Sequence, residues 1–188
     1  SNETYSKVRV KGDLSVVRPN VLKLIELIKK GNYNAKLVVS FVEQTLNSHE
    51  TELFENYWKE VGADFVVIRR LHSAGGAKDN IRESIDATIK DIIRKPCLYP
   101  WERLTLTPEG HLSYCPTDWK HQSHFIDFRN TTIKEAWQSD FMNDLRNAHL
   151  NNNYDSFDFC KQCPDWIQTR WPDEGNSYSN LMEKINES

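Results

Sequence analysis

The sequence lacks the features of a membrane protein, a secreted protein or a nucleic-acid-binding protein. It has no apolar run near the length of a bilayer span and no secretory signal, since its first residues are charged and polar. Lysine and arginine number 24 against 27 acidic residues, for a formal net charge of −3, and they form no basic block. These absences predict a cytoplasmic protein whose partners are neither membranes nor nucleic acids.

Cysteine is scarce as well, and its few positions are the most informative feature of the chain. Cys97, Cys115, Cys160 and Cys163 are the only cysteines in 188 residues. The thiolates of a Cys-x2-Cys pair such as Cys160 and Cys163 can reach one metal centre. The segment 103–115 predicts two short alternating strands around a Pro-Glu-Gly turn, so a β-hairpin can bring Cys97 and Cys115 to the same end. Four thiolates suit either an all-cysteine zinc site or an iron–sulfur cluster, and their spacing leaves both open.

Three other interpretations of the cysteines fit the sequence less well. Two unrelated pairs of thiols would not require a Cys-x2-Cys spacing, nor would they account for the whole set. Disulfides are typical of secreted chains, and no secretory signal is present. A thioredoxin-like pair would follow a strand and open a helix, whereas Cys160 and Cys163 follow a polar stretch and precede Pro164. A metal centre is therefore the favoured interpretation.

The N-terminal part of the chain has the alternation of an α/β protein. Residues 19–30 predict a helix with Pro19 near its first turn and Gly31 at its end. The segments 35–43 and 64–71 are apolar and β-branched, as strands buried on both faces of a parallel sheet are. The order helix, strand, helix, strand with short connections predicts a parallel α/β arrangement.

The helix between the two strands has start, face and stop signals. Asn47 can cap it, and Glu50, three residues on, can return a hydrogen bond to the cap backbone. Gly62 supplies the stop signal. A further helical stretch from about Asn80 meets Pro96, where the cysteine-bearing part begins. The predicted apolar face of the helix between the strands consists of Leu53, Phe54, Tyr57, Trp58 and Val61.

The cysteine pattern resembles that of a known family. Cys-x12-Gly-x4-Cys followed by Cys-x2-Cys is similar to the opening and middle of the SPASM motif, the C-terminal extension of many radical S-adenosylmethionine (radical SAM) enzymes. The hairpin 104–118, with its Cys-x-x-Asp end, and the segment 132–149, which resembles a helix of the family, agree with it. The full motif continues with further cysteines, which this sequence lacks after Cys163. The chain therefore resembles the shortened version, the twitch domain. That resemblance implies one auxiliary 4Fe–4S cluster with the candidate ligands Cys97, Cys115, Cys160 and Cys163.

The resemblance extends to the N-terminal part. Segment 3–9 looks like the chain after the fourth strand of the six-stranded radical SAM barrel, and 35–43 and 64–71 look like its fifth and sixth strands. No Cys-x3-Cys-x2-Cys motif is present, so the cluster that binds and cleaves S-adenosylmethionine has no ligands here. We therefore expect a fragment of a longer protein rather than a degenerate relative, because a half barrel leaves an open sheet edge. The missing N-terminal half of the barrel would be its partner.

The fold class that follows is α/β. Residues 1–95 would form a partial, half radical SAM-type (β/α) barrel, and residues 96–170 a small α+β SPASM/twitch-like domain with a β-hairpin. Residues 171–188 would form a C-terminal tail with a short helix. Tryptophans cluster in sequence around the cysteines, and we expect them to shield the site as a small core. They are Trp101, Trp119, Trp137, Trp166 and Trp171.

Four further residues are candidates for function by resemblance. Asp118 lies where many relatives carry a carboxylate on the substrate side of the auxiliary cluster, so it is a candidate general base or substrate contact. Hydrogen bonding within its own loop is the alternative. Arg9 resembles the arginine that approaches the carboxylate of S-adenosylmethionine, or is a plain surface arginine. Gly75 and Gly76 follow a strand at its C-terminal end, where parallel α/β folds bind ligands, although a Gly-Gly pair is also an ordinary turn.

The resemblance implies the cluster-binding portion of a radical SAM enzyme that modifies a peptide or a small molecule through a 5′-deoxyadenosyl radical. The auxiliary cluster of such an enzyme anchors substrate or accepts an electron from a substrate radical. The chain alone should be inactive, because S-adenosylmethionine would bind, with a second cluster, only in the full-length parent. The alternative from another class is a non-catalytic interaction domain that binds zinc through its four cysteines.

Overall fold

The structure, a computed structural model, describes residues 1–169 and 178–187. The chain divides into two units, Ser1–Leu71 and His72–Ser188. The sequence instead predicts a domain boundary at residue 95, before the SPASM/twitch-like domain. That boundary stays a prediction. No helix in the described ranges is long and apolar enough to cross a bilayer.

The first unit alternates helices and strands, as the sequence predicts. β1 and β2 pair in parallel, with Val38 opposite Phe65 and Glu43 opposite Arg70. All six β1 residues are half-buried or exposed, because the sheet has two strands in the described part of the unit. The predicted burial of that strand on both faces is therefore wrong for this chain, and the half barrel stays a prediction. In chain order the elements are α1 (Asn2–Val8), α2 (Leu14–Gly31), β1 (Val38–Glu43), a 3₁₀ turn (Ser48–Glu50), α3 (Thr51–Glu60) and β2 (Phe65–Arg70).

Helix α2 begins before the position that its proline suggests. The carboxylate of Asp13 accepts hydrogen bonds from Ser15 N at 2.8 Å and Ser15 Oγ at 2.7 Å, which caps the N-terminus. Pro19 therefore lies inside the helix. At the other end Gly31 is the last helical residue, and Asn32, with φ of 49°, takes the left-handed conformation that ends the helix.

The predicted capping box of α3 is wrong. The Asn47 side chain accepts from Gln44 N at 2.8 Å and donates to Val42 O at 3.0 Å, so it braces the preceding turn. The Glu50 carboxylate accepts from Thr4 Oγ1 and from the N-terminal amine, both at 2.9 Å. Leu53 is 69% exposed and does not belong to the buried face. Gly62, with φ of 94°, follows the end of the helix as predicted.

The second unit contains a small antiparallel sheet, in the order β3-β4-β5, and short helices. The hairpin between β3 and β4 is confirmed: Thr105 pairs with Ser113 and Leu106 with Leu112. Gly110, with φ of 88°, occupies the turn. The third strand has no counterpart among the sequence predictions. The strands are β3 (Thr105–Leu106), β4 (His111–Ser113) and β5 (His124–Asp127); the helices are α4 (Asp79–Ile89), α5 (Tyr99–Glu102), α6 (Ile133–Trp137), α7 (Asp140–Leu150), α8 (Asp158–Gln162) and α9 (Tyr178–Glu187), with 3₁₀ turns at Phe128–Asn130 and Asp165–Gln168.

The segment 132–149 forms two helices instead of one. Thr132 and Glu135 form a capping box at the start of α6. The hydroxyl of Ser139 accepts from Met142 N at 3.3 Å and caps α7, so the chain restarts there. The buried face of α7 then packs into the core of the unit. That core consists of Tyr114, Met142, Leu145, Ala148, Tyr154, Phe157 and Cys160.

The predicted C-terminal tail is described in part. Helix α9 covers the short helix that the sequence predicts in the tail. The start of the predicted tail, including Trp171, lies outside the described residues.

Candidate metal centre

The four cysteines lie on three separate pieces of the second unit. Cys97 lies just before α5, Cys115 follows β4, Cys160 lies in α8 and Cys163 ends that helix. Cys160 is buried, the other three are half-buried, and all four are free thiols. The hairpin and the short helix therefore deliver thiols from positions far apart in the sequence.

Electrostatic coupling between the thiols shows that they share one region of the unit. Burial, with a smaller contribution from the neighbouring Cys115, raises the pKa of Cys97 to about 12. Burial also raises the pKa of Cys160, and the neighbouring Cys97 and Cys115 add to that shift. For Cys163 the causes are burial, then the Asp165 carboxylate, then Cys115 and Cys97. Each of these thiols therefore lies in a site where several negative charges would be close together.

Backbone N–H groups face three of the four sulfur atoms. Cys97, Cys115 and Cys163 each accept a hydrogen bond from the residue two positions further on, which lowers the thiol pKa against the effect of burial. The donors are, in order, Tyr99, Thr117 and Asp165. The Thr117 hydroxyl also lies 3.2 Å from Cys115 Sγ. Such donors favour the thiolate form, which is the form that binds metal.

An apolar cluster packs around two of the four cysteines, Cys115 and Cys160. The fourth thiol, Cys160, belongs to the core cluster around Met142 and Leu145, and the Tyr114 hydroxyl hydrogen-bonds to its sulfur. Trp166 is 5% exposed and fits the predicted shielding role. Trp119 does not, because it is 60% exposed. A dry shell of this kind is what tunes a bound cluster.

Two basic residues beside the thiols were not among the sequence candidates. The Arg94 guanidinium donates to Cys160 O at 2.6 Å and stacks over Tyr154, and its charge partly offsets the burial that raises the pKa of Cys97 and Cys160. His149 is buried, and burial lowers its pKa to about 4, so the ring is neutral. No local sequence pattern marks either residue, since both act through contacts with distant parts of the chain.

The donor set fits an anionic, thiolate-bound group. Among residues 1–169 and 178–187, no three His, Cys, Asp or Glu side chains are arranged to hold a single metal ion. Thiols, N–H donors aimed at sulfur and a buried guanidinium Nε without an acceptor all suit a larger group that carries negative charge. The convergence on one centre stays a prediction, and its ligands would be Cys97, Cys115, Cys160 and Cys163.

Asp165 anchors the glycine loop to the end of the cysteine pair. Its carboxylate accepts from Ser73 N at 2.7 Å, from Ser73 Oγ at 2.9 Å and from Gly75 N at 2.8 Å. Asp165 is 3% exposed and Ser73 is fully buried. The position of this residue, two after Cys163, is the one sequence feature that could have identified it.

Three of the predicted site residues line one cleft of about 150 Å³ in the second unit: Gly75, Gly76 and Asp118. Both oxygens of Asp118 bind its own loop, accepting from Lys120 N at 3.0 Å and from Ser123 N at 2.5 Å. This geometry agrees with the loop-bonding alternative. The carboxylate nevertheless remains half-exposed at the cleft.

Arg9, the fourth predicted residue, lies in the first unit. It lines a cavity of about 350 Å³ together with Arg18, Glu50, Phe41 and Tyr57. The structure therefore groups Asp118 with the two glycines, and it describes Arg9 in a separate unit.

Comparison with known protein families finds a match in the second unit. Residues 97–164 match the family model SPASM, described as an iron–sulfur cluster-binding domain. The match begins at the first cysteine and ends just after the last. No curated protein and no solved structure matches the chain.

Proposed function

We propose that this chain, whose residues 97–164 match the SPASM iron–sulfur cluster-binding domain, is the auxiliary-cluster portion of a radical SAM enzyme. The observation that carries the proposal is the set of four electrostatically coupled thiols inside that domain. With four cysteines in the chain, the set suffices for one 4Fe–4S cluster. The parent enzyme would modify a peptide or a small molecule in the cytoplasm, where thiols stay reduced.

The family match favours a cluster over the zinc alternative. The model that residues 97–164 match is described as an iron–sulfur cluster-binding domain. A structural zinc ion draws four sulfurs around one atom, whereas each cysteine of a 4Fe–4S cluster ligates its own iron. The same four cysteines could serve either group, so the metal content separates the two.

The first unit supports a partial barrel. Its two strands are parallel, as in a (β/α) barrel, and in the described residues β1 pairs with β2 alone. The other edge of β1 therefore offers backbone groups to a further strand. We assign that place to the N-terminal half of the barrel, which would also bring the second cluster and S-adenosylmethionine. Arg9, Gly75 and Gly76 would then contact that cofactor.

The residues of this chain would hold and tune the auxiliary cluster. The three backbone N–H groups facing Cys97, Cys115 and Cys163 stabilise the thiolates, and the apolar shell excludes water. When bound, such a cluster supplies one-electron redox chemistry, which would let it accept an electron from a substrate radical. Asp118, at the neighbouring cleft, would accept a proton from the substrate.

The test is the metal content of the chain prepared without oxygen. Reconstitution with iron and sulfide should give a brown protein with equal amounts of iron and sulfide, and the loaded chain incubated with dithionite and S-adenosylmethionine should yield no 5′-deoxyadenosine. A colourless protein with stoichiometric zinc, and no uptake of iron, would support the interaction-domain alternative. Catalytic release of 5′-deoxyadenosine would contradict the assignment of the cysteines to an auxiliary site.

A further inference from the structure

Arg94 is a half-buried arginine that lies against the backbone of the Cys-x2-Cys pair. Its Nη2 donates to Cys160 O at 2.6 Å and its Nη1 to Lys161 O at 3.2 Å. The guanidinium also stacks on the ring of Tyr154, with Cζ 4.0 Å from the ring centroid. The rigid fork of the guanidinium therefore holds the segment that carries Cys160.

The positive charge of Arg94 has no carboxylate partner in the part of the chain that the structure describes. Its contacts there are two backbone carbonyls and an aromatic ring, and its Nε is buried without an acceptor. A guanidinium stays protonated, so burying it without a counter-charge is costly. The groups that can supply negative charge are the thiols of Cys97 and Cys160, with which the guanidinium interacts.

Two other basic groups near these thiols, in the part of the chain that the structure describes, add no free positive charge. His149 Nδ1 accepts a hydrogen bond from Cys97 N at 3.2 Å, so this nitrogen holds no proton. Lys161 Nζ forms an ion pair with Asp155 at 2.9 Å. Among the described residues, Arg94 is a cation whose charge acts on both Cys97 and Cys160.

We infer that Arg94 is a positioning residue that raises the reduction potential of the cluster bound by the four cysteines. The inference rests on the proposed function, because it requires a cluster at those cysteines. Reduction adds one negative charge, and a fixed positive charge nearby stabilises the reduced state more than the oxidised state. The cluster would therefore take an electron more readily, which is the direction that the proposed electron-accepting role needs.

The experiment compares four forms of the full chain, each reconstituted anaerobically with iron and sulfide: wild type, Arg94→Gln, Arg94→Lys and Arg146→Gln. Arg146 is a matched control, because it is also half-buried and stacks on an aromatic ring, that of Trp137, at 4.6 Å. It donates to Pro100 O at 3.0 Å and to Asn143, not to the cysteine segments. Iron and sulfide are quantified, and one-electron potentials are measured by dithionite titration with electron paramagnetic resonance.

We expect R94Q to lower the equilibrium constant for one-electron reduction about tenfold or more, which corresponds to a potential lower by about 59 mV. R94K keeps the charge and should lie near wild type, and R146Q should match it. A loaded R94Q with the wild-type potential overturns the inference. If R94Q loses its iron, Arg94 is a structural brace of the ligand segment and the inference is overturned. A loaded R94K whose reduction equilibrium is displaced about tenfold or more overturns it as well. Wild-type protein that forms no iron–sulfur cluster contradicts the proposed function itself.

Discussion

Removal of the Asp165 charge should destabilise the second unit more than any comparable change at its surface. The carboxylate accepts three hydrogen bonds, two from Ser73 and one from Gly75, and it is 3% exposed. In Asp165→Asn the amide oxygen can keep the bonds from Ser73. The amide nitrogen would then face the N–H of Gly75. Both groups are hydrogen-bond donors, so the N–H of Gly75 would lose its acceptor.

The cost follows from these contacts. A hydrogen bond to a charged group contributes about 1.5–3 kcal/mol, and a buried donor left without an acceptor costs about 1–3 kcal/mol. We therefore expect Asp165→Asn to lower the free energy of unfolding by roughly 3 kcal/mol. For a chain of this length that corresponds to a Tm lower by roughly 6–12 °C.

The assay is thermal unfolding followed by circular dichroism under reducing conditions, on both metal-free and loaded protein. Asp144→Asn is the control, because Asp144 lies on an exposed position of α7 and loses the same charge. A Tm of Asp165→Asn within about a degree of this control would refute the account, because it would mean that the loop at 73–76 is held without the carboxylate.

Three further predictions concern the cysteines and the cleft. Cys115→Ser and Cys160→Ser should each lose the cluster, and a variant with full iron and sulfide content would show that its cysteine is no ligand. In the metal-free protein the pKa of Cys97 is raised to about 12 and that of Cys115 to about 11. In the folded protein these thiols stay protonated, and their contribution to the free energy of unfolding is fully present below the unfolded pKa of about 8.5. That contribution is lost as the pH rises from there through the pKa values of the folded protein. The Tm of metal-free protein should therefore fall above about pH 9, whereas loaded protein, whose cysteines are already deprotonated, should lack this slope. In the parent enzyme, Asp118→Asn should lower product formation on the order of 10²-fold with cluster content intact; loss of iron would indicate a structural role for its loop bonds, and normal turnover a bystander.

Local sequence signals predict the structure correctly where residues close together in the sequence determine the backbone conformation. The hairpin before Cys115 forms because Gly110 can take a positive φ and the flanking residues alternate. The capping box of Thr132 and Glu135 forms for the same reason, since its partners are three residues apart. Glu50 has similar sequence surroundings and forms no such box. Its oxygens bind Thr4, 46 residues away, and the N-terminal amine, which no local pattern predicts.

The candidate site likewise has a part that the sequence predicts and a part that it does not. The cysteine spacing predicts the ligand set, and the local signals of residues 103–115 predict the hairpin that ends beside Cys115. The residues that surround the ligands come from far away in the sequence: Arg94 reaches Cys160 across 66 positions and Asp165 reaches Ser73 across 92. Their roles depend on burial and on hydrogen-bond partners, and neither quantity is visible in a single sequence.

Asp165 links the cleft to the cysteines through two different parts of the same residue. Its backbone N–H faces the sulfur of Cys163, and its carboxylate holds Gly75, which lines the cleft beside Asp118. Because Asp165 contacts both the cysteine segment and the cleft, a changed reduction potential in Asp165→Asn would have two explanations. It could come from the lost charge or from a movement of the segments that Asp165 holds. Arg94 bonds to the cysteine segment at Cys160 and Lys161 and does not line the cleft. A variant of Arg94 is therefore the better probe of how the protein tunes the reduction potential of the metal centre. A variant of Asp165 is the better probe of how the cleft is attached to the cysteine segment.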